Sequence, residues 1–189
     1  MFEGIEIKQY DKRQVILFNS YSRGKEEVLS NHHVCRLSYN GIVFNSSEQL
    51  FFWLLLSGNP ELQEKVLNCE TPKDVKKVGG QCLKKIKWEH KPENEIPALR
   101  FAISIKYSQC KEFREYLDSH QNDVYVEYAT WGDKQWGATD IDENLKYKPY
   151  GIVEGQNICG RIIQGVIKQA KKGEVLPTLP DFVKEITII

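Results

Sequence analysis

The sequence predicts an α+β fold, a single compact and mostly helical domain with a small β-element, on three observations. Short extended segments lie between residues 14 and 44 around an Asn-Gly turn, and a capped, wholly apolar helix follows them at once. Proline-started helices then fill the middle of the chain before one convincing strand near residue 125. With 189 residues, one domain suffices and buries about two thirds of its unfolded surface without a metal or disulfide staple.

Each element has its own local cause. Val15-Ile16-Leu17-Phe18 and Val34 to Phe44 are extended candidates, the second broken at Tyr39-Asn40-Gly41, where Asn-Gly signals a hairpin turn. Asn45-Ser46-Ser47-Glu48 opens a helix that runs to Ser57, with Asn45 as cap and Glu48 at N3. Because Leu50 to Leu56 is apolar on every side, that helix is expected at the centre of the domain. Gly58-Asn59-Pro60 stops it and starts the next helix, and Thr71-Pro72 repeats the device before a short helix ending at Gly79-Gly80.

A further helix begins near Pro97 and carries Leu99, Ala102, Ile103, Lys106 and Cys110 at helical spacing. Lys106 falls in the middle of this apolar stripe, so it either snorkels to the rim or is buried against a carboxylate. The alternation of Val124 to Ala129 predicts a half-buried strand, which delivers Trp131-Gly132-Asp133-Lys134-Gln135-Trp136-Gly137 at its end. Gly155 to Ile163 reads as a loop turning into a helix, with Asn157 as cap and apolar pairs recurring every four residues. The tail from Lys171 to Ile189 is expected to lie across the domain as an extension.

Composition narrows the function classes. Lys plus Arg equals Asp plus Glu at 26 each, so no global field exists to hold a polyanion or an anionic membrane surface. Five scattered cysteines without a C-x-x-C pair argue for reduced thiols and against a disulfide framework or zinc site. The first residues carry no apolar leader and the longest apolar run is too short to span a bilayer, so a cytoplasmic protein with no membrane partner is expected.

Three constellations carry chemistry. Glu48 at the mouth of the most apolar helix is a candidate acid, held ionised by open amides and the dipole, and plain capping accounts for it equally well. Asp133 is the second acid, with flanking tryptophans that would lower the dielectric around it. Trp in a loop suits a flat ligand, and the glycines beside it let a ligand approach the backbone. Gly155-x-Asn157-x-x-Gly160-Arg161 has the composition of a phosphate cradle at a helix start, or of a simple helix start. Ser30-Asn31 adds polar groups beside His32 and His33, which form no metal pattern.

Taken in order, these pieces resemble the NADAR (NAD and ADP-ribose) family, also called YbiA-like. Ser30-Asn31 is similar to its S-N-F element, with His32 in third place. Tyr39-Asn40-Gly41 followed by Ser47-Glu48 resembles its D-G-x-x-[YW]-x-[ST]-x-E-H stretch. Trp88 matches its mid-chain tryptophan, and Ala102 to Tyr107 its A-L-x-x-K-F. Asp133 to Gly137 resembles D-x-x-W-G, and Gly155 to Gly160 resembles G-x-N-x-[LM]-G. The match covers about residues 14 to 170.

The resemblance implies a YbiA-like α+β domain acting on the N-glycosidic bond between a ribose and a base or amine. Known members include hydrolases of early riboflavin-pathway intermediates and of ADP-ribose attached to guanine. Such cleavage passes through an oxocarbenium-like state and needs an anion beneath the anomeric carbon, a base for water, and an acid or hydrogen bond for the leaving group. Glu48 and Asp133 supply the first two roles in either order. Lys106 would orient an acid, donate a proton or attack an opened ribose, and Trp136 would stack on the leaving base. Ser30, Asn31, Trp88, Gly137, Asn157, Gly160 and Arg161 complete the expected substrate contacts, all but Trp88 and Gly137 at the phosphate end.

No metal or cofactor is expected. The expected partner is a ribosylated nucleotide or another ADP-ribose-containing substrate, with a nucleic acid left open as carrier of the adduct. Two positions depart from the family pattern: its histidine after the motif glutamate is Gln49 here, and its lysine seven residues after that glutamate is Leu55. They motivate the alternative of a non-catalytic ADP-ribose or NAD sensor or sequestering module.

Overall fold

A computed structural model describes residues 2–87, 90–130, 132–173 and 178–183. Trp88, Trp131 and parts of the C-terminal tail lie outside the described residues. The chain begins with β1 (Lys8–Asp11), β2 (Ile16–Phe18), β3 (Leu37–Tyr39) and β4 (Ile42–Phe44). The helices α1 (Ser47–Leu55), α2 (Pro60–Leu67), α3 (Pro72–Lys85), α4 (Glu95–Gln109) and α5 (Lys111–Ser119) follow. Last come β5 (Tyr125–Glu127), β6 (Thr139–Asp140), β7 (Ile152–Gly155) and α6 (Ile158–Lys171). The class is α+β and mostly helical, as the sequence predicts.

These elements form two compact units, Met1–Ser30 with Glu115–Glu174, and Asn31–Arg114 with Val175–Ile189. In the second unit, β3 and β4 make the expected hairpin, with Leu37 opposite Phe44 and Tyr39 opposite Ile42. Asn40 and Gly41 both take positive φ, +47° and +74°, the pair of left-handed residues that a two-residue type I′ turn requires. Leu50, Trp53 and Leu54 of α1 pack with Leu37, Phe44 and with Ala98, Phe101 and Ala102 of α4. Its other face packs Phe52 and Leu56 against Val66, Val75, Cys82 and Ile86. Each such side chain contributes about 1.5–3 kcal/mol on burial, so α1 is the central helix of this unit.

Two differences from the sequence reading, at the cap of α1 and the end of α3, have physical causes. The cap of α1 is Ser46, whose Oγ accepts from Gln49 N at 3.2 Å, while Asn45 turns its Nδ2 to Cys69 O at 3.1 Å. Helix α3 does not stop at Gly79-Gly80 but continues to Lys85. A Cβ on Gly79 would lie 2.4 Å from Phe52 Cγ, so that glycine admits the Phe52 ring and ends nothing. Along the tail, Leu179, Phe182 and Val183 pack on the core between α1 and α4.

The first unit holds a three-stranded antiparallel sheet in the order β1-β7-β6 and a parallel pair, β2 with β5. Helix α6 packs on β5, and a Cβ on Gly160 would meet Tyr125 O at 2.0 Å. Only glycine permits that approach of helix to strand backbone.

Candidate functional site

In the second unit, the start of α1 gathers Asn31, His32 and Glu48. With Ser46 as cap, Glu48 stands at N2 rather than N3, still within the first turn where the helix dipole favours a carboxylate. Its backbone N–H donates to Asn31 O at 3.1 Å, and Ser47 Oγ donates to Asn31 O and Oδ1 at 3.3 Å. Glu48 is 9% exposed, and its Oε1 lies 3.6 Å from His32 Nε2. The histidine that replaces the aromatic of the family element is therefore a neighbour of the candidate acid.

Gln49, where the family carries histidine, is a structural staple. Its Oε1 accepts from Asn45 N at 2.7 Å, and its Nε2 donates to Val66 O at 2.9 Å and Leu67 O at 3.2 Å. The amide joins the start of α1 to the end of α2, a task that needs a donor and an acceptor on one side chain. Leu55, where the family carries lysine, is buried in the apolar core.

Lys106 is fully buried on α4, so it does not snorkel. Its Nζ lies over the Phe113 ring at 4.5 Å, and burial lowers its pKa from 10.5 to about 8.

In the first unit, the loop carrying Asp133, Trp136 and Gly137 is bound to the segment that starts α6. Gln156 N donates to Lys134 O at 2.6 Å, Asn157 N to Gly137 O at 3.1 Å, Ile158 N to Gln135 O at 3.3 Å, and Cys159 N to Trp136 O at 3.0 Å. Amides bonded to loop carbonyls in this way are not open to an anion. The Arg161 guanidinium is similarly engaged, donating to Gln156 O at 2.8 Å and Glu6 O at 2.9 Å.

Asn157 starts α6 in the left-handed region, φ +51°, without a side-chain cap bond. Its fully buried amide staples β5 instead, donating from Nδ2 to Tyr125 O at 2.8 Å and accepting at Oδ1 from Glu127 N at 3.1 Å. Gly137 is equally constrained, since a Cβ there would lie 2.4 Å from Glu127 O.

Asp133 is exposed rather than shielded by aromatics. Its Oδ1 accepts from Gln135 N at 2.9 Å and Trp136 N at 3.0 Å, which turns the loop and orients the carboxylate. Trp136 is half-buried and meets Phe2 edge to face at 5.2 Å. Ser30 is buried at the end of a short 3₁₀ turn, where its N–H donates to Glu27 O at 3.1 Å.

Sequence reasoning missed one polar cluster in this unit. Lys12 and Asp140 form a buried ion pair. Lys12 also donates to Lys148 O at 3.1 Å, and its Nζ sits 4.9 Å over the Tyr128 ring. Tyr128 donates to Asp140 Oδ2 at 2.5 Å, and burial together with this bond raises its pKa to about 12. Beside them lies a cavity of about 310 Å³ lined by Tyr128, Thr130, Gly132, Asp140, Glu143 and Lys146. No periodic or motif signal marks Lys12, which stands in a polar N-terminal stretch.

Among the described residues, no group of three or more His, Cys, Asp or Glu side chains could hold a metal ion. No helix among them is long and apolar enough to cross a membrane.

The fold is similar to the NMR structure of the E. coli protein YbiA, with a TM-score of 0.60 at 18% identity over 85% of this chain and 88% of that one. No curated protein matches the chain. The family model described as the NADAR domain matches residues 9–170, a span from β1 to α6 that includes the Glu48 turn, Lys106 and the Trp136 loop, and the chain accordingly belongs to the NADAR family.

Proposed function

We propose that this protein hydrolyses the N-glycosidic bond between a ribose and a base or amine, in a ribosylated nucleotide or an ADP-ribose adduct such as ADP-ribosyl-guanine or a riboflavin-pathway intermediate. Family membership supports the general N-glycosidase role. The observation that carries the proposal is Glu48, a largely buried carboxylate fixed in the first turn of α1 with an imidazole 3.6 Å away. A fixed anion of this kind stabilises positive charge developing on a ribose, or takes a proton from water. In the other unit, Asp133 is oriented by two backbone amides and Trp136 presents an aromatic surface, the residues to which the family resemblance gives the second acid and the stacking face. Lys106, with a pKa near 8, exchanges a proton close to neutral pH. Asn157 N holds Gly137 O of the loop, while Gly160 lets α6 approach β5 and Arg161 ties the start of α6 to Glu6.

The test is release of free base or amine from a panel of ribosylated substrates, comparing wild type with Glu48→Gln and Asp133→Asn. Each variant should lose about 100-fold or more in turnover. Wild-type turnover in both would remove the acids from the mechanism. A second reading, a sensor or sequestering module for ADP-ribose or NAD, is favoured by Gln49 and Leu55, whose side chains serve the core. Calorimetric binding of ADP-ribose without turnover of any substrate in the panel would select it.

A further inference from the structure

The chain is neutral overall, but α3 is not. It carries five lysines, Lys73, Lys76, Lys77, Lys84 and Lys85, against one acid, Asp74. All five lysines are exposed, and none of them enters an ion pair among the described residues. The Asp74 carboxylate is held at the start of the helix, where its Oδ2 accepts from Thr71 Oγ1 at 2.6 Å. At about 100° per residue, Lys73, Lys77 and Lys84 fall within about 40° of one another, in a row about 16 Å long. Val75 and Cys82 point the other way, into the core, and Gly79 faces the Phe52 ring. Gly80 lies in the row between Lys77 and Lys84, and a Cβ there would meet nothing within 4 Å. The middle of the row is therefore open ground.

We propose that this face of α3 docks the phosphate backbone of a single-stranded nucleic acid, with Lys73, Lys77 and Lys84 each against a phosphate and Lys76 and Lys85 on the flanks. Charge complementarity selects the occupant. A row of ammonium groups without ion-pair partners attracts a polyanion by releasing its condensed counterions, and needs no global field to do so. A nucleic-acid strand carries a charge on every residue, a density that a peptide matches only in unbroken runs of Asp and Glu. A flexible strand follows the whole row, which a stiff duplex meets over only part of its length. A membrane surface suits the face poorly, because no large apolar side chain is exposed on α3 to enter the lipid. The row also starts close to the turn that bears Glu48, since Asn45 Nδ2 donates to Cys69 O at 3.1 Å and Glu70 O at 3.3 Å just before α3 begins. In the hydrolase reading the strand is the carrier of the adduct; the docking itself does not depend on that reading.

Fluorescence anisotropy with a fluorescein-labelled oligothymidylate of about 12 nucleotides, within the span of such surfaces, reads the docking directly. Three neutralised phosphates give a log–log salt slope of about −2, so affinity should fall about 20-fold between about 50 and 200 mM salt. The triple variant Lys73→Gln, Lys77→Gln, Lys84→Gln should flatten that slope and weaken binding at about 50 mM salt by about 10-fold or more. A control of equal net charge, Lys25→Gln with Lys148→Gln and Lys168→Gln, changes exposed lysines of the other unit and should keep both slope and affinity. Lys and Gln have similar helix propensity, so far-ultraviolet circular dichroism should not change in either variant. Absence of any anisotropy change at low salt, or an equal loss in the control, would overturn the proposal. Tighter binding of polyglutamate, of phosphatidylglycerol vesicles or of the corresponding duplex than of the single strand would overturn it too, and would name the other occupant. Binding of the strand without turnover of any ribosylated substrate refutes the proposed function and leaves the docking face standing.

Discussion

Gln49→Leu isolates what the amide at the usual histidine position does. Leucine fills a similar volume, so packing changes little, but it neither accepts from Asn45 N at 2.7 Å nor donates to Val66 O at 2.9 Å and Leu67 O at 3.2 Å. Val66 O keeps a second donor, Cys69 N at 3.2 Å, so its loss is one net hydrogen bond, about 1 kcal/mol. Leu67 O is only partly shielded from water and loses about 0.5 kcal/mol. Asn45 N loses the acceptor supplied by Gln49, which costs about 1–2 kcal/mol.

The sum, about 2.5–3.5 kcal/mol, corresponds for a chain of this size to a fall of about 5–14 °C in Tm. Urea unfolding followed by tryptophan fluorescence reads it, since Trp53 is buried on the same helix. Gln49→His, which restores the family residue, should lose a similar amount because imidazole cannot reach both the start of α1 and the end of α2. A Leu variant within about 0.5 kcal/mol of wild type would refute the staple, because that is the scatter of neutral surface substitutions.

Lys106→Met should remove a pH dependence of stability. A lysine pKa of about 8 in the folded state against an ordinary 10.5 means that the unfolded chain binds more protons between those values, so wild-type stability rises with pH across that window. The difference between wild type and the Met variant should therefore move in favour of wild type by about 3 kcal/mol, to order of magnitude, from pH 8 to pH 10.5. A pH-independent difference in urea midpoints would contradict the buried charge. Gly160→Ala sets a Cβ 2.0 Å from Tyr125 O, and the roughly 1 kcal/mol gain in helix propensity does not offset an overpacking cost of about 3 kcal/mol. Thermal melting should show a clear loss, and an equal or higher Tm would disprove the tight contact of α6 with β5.

Features written in local chemistry were legible in the sequence. Asn40-Gly41 specifies its turn, Pro60 and Pro72 start their helices, and the apolar run of α1 announces a buried element. What failed depended on partners distant in sequence. Gly79-Gly80 has the composition of a helix end, and only the ring of Phe52 explains glycine inside α3. Strands β1, β6 and β7 are two to four residues long, too short for alternation to register. At the candidate site, the stripe position of Lys106 marked it as unusual, but the Phe113 ring that covers it comes from α5, a separate element. The Gly-x-Asn-x-x-Gly pattern looked like an anion cradle because the sequence does not reveal that its amides already meet carbonyls near residue 135.

Those four amide-to-carbonyl bonds make the tryptophan loop a composite of two chain segments that lie some twenty residues apart. Neither segment can be transplanted alone: a loop moved into a relative without its matching helix start would lose the template that sets its carbonyls, and the reverse graft would leave orphaned amides. Any exchange of this loop among relatives therefore requires residues near 133–137 and 155–161 to be exchanged as a pair.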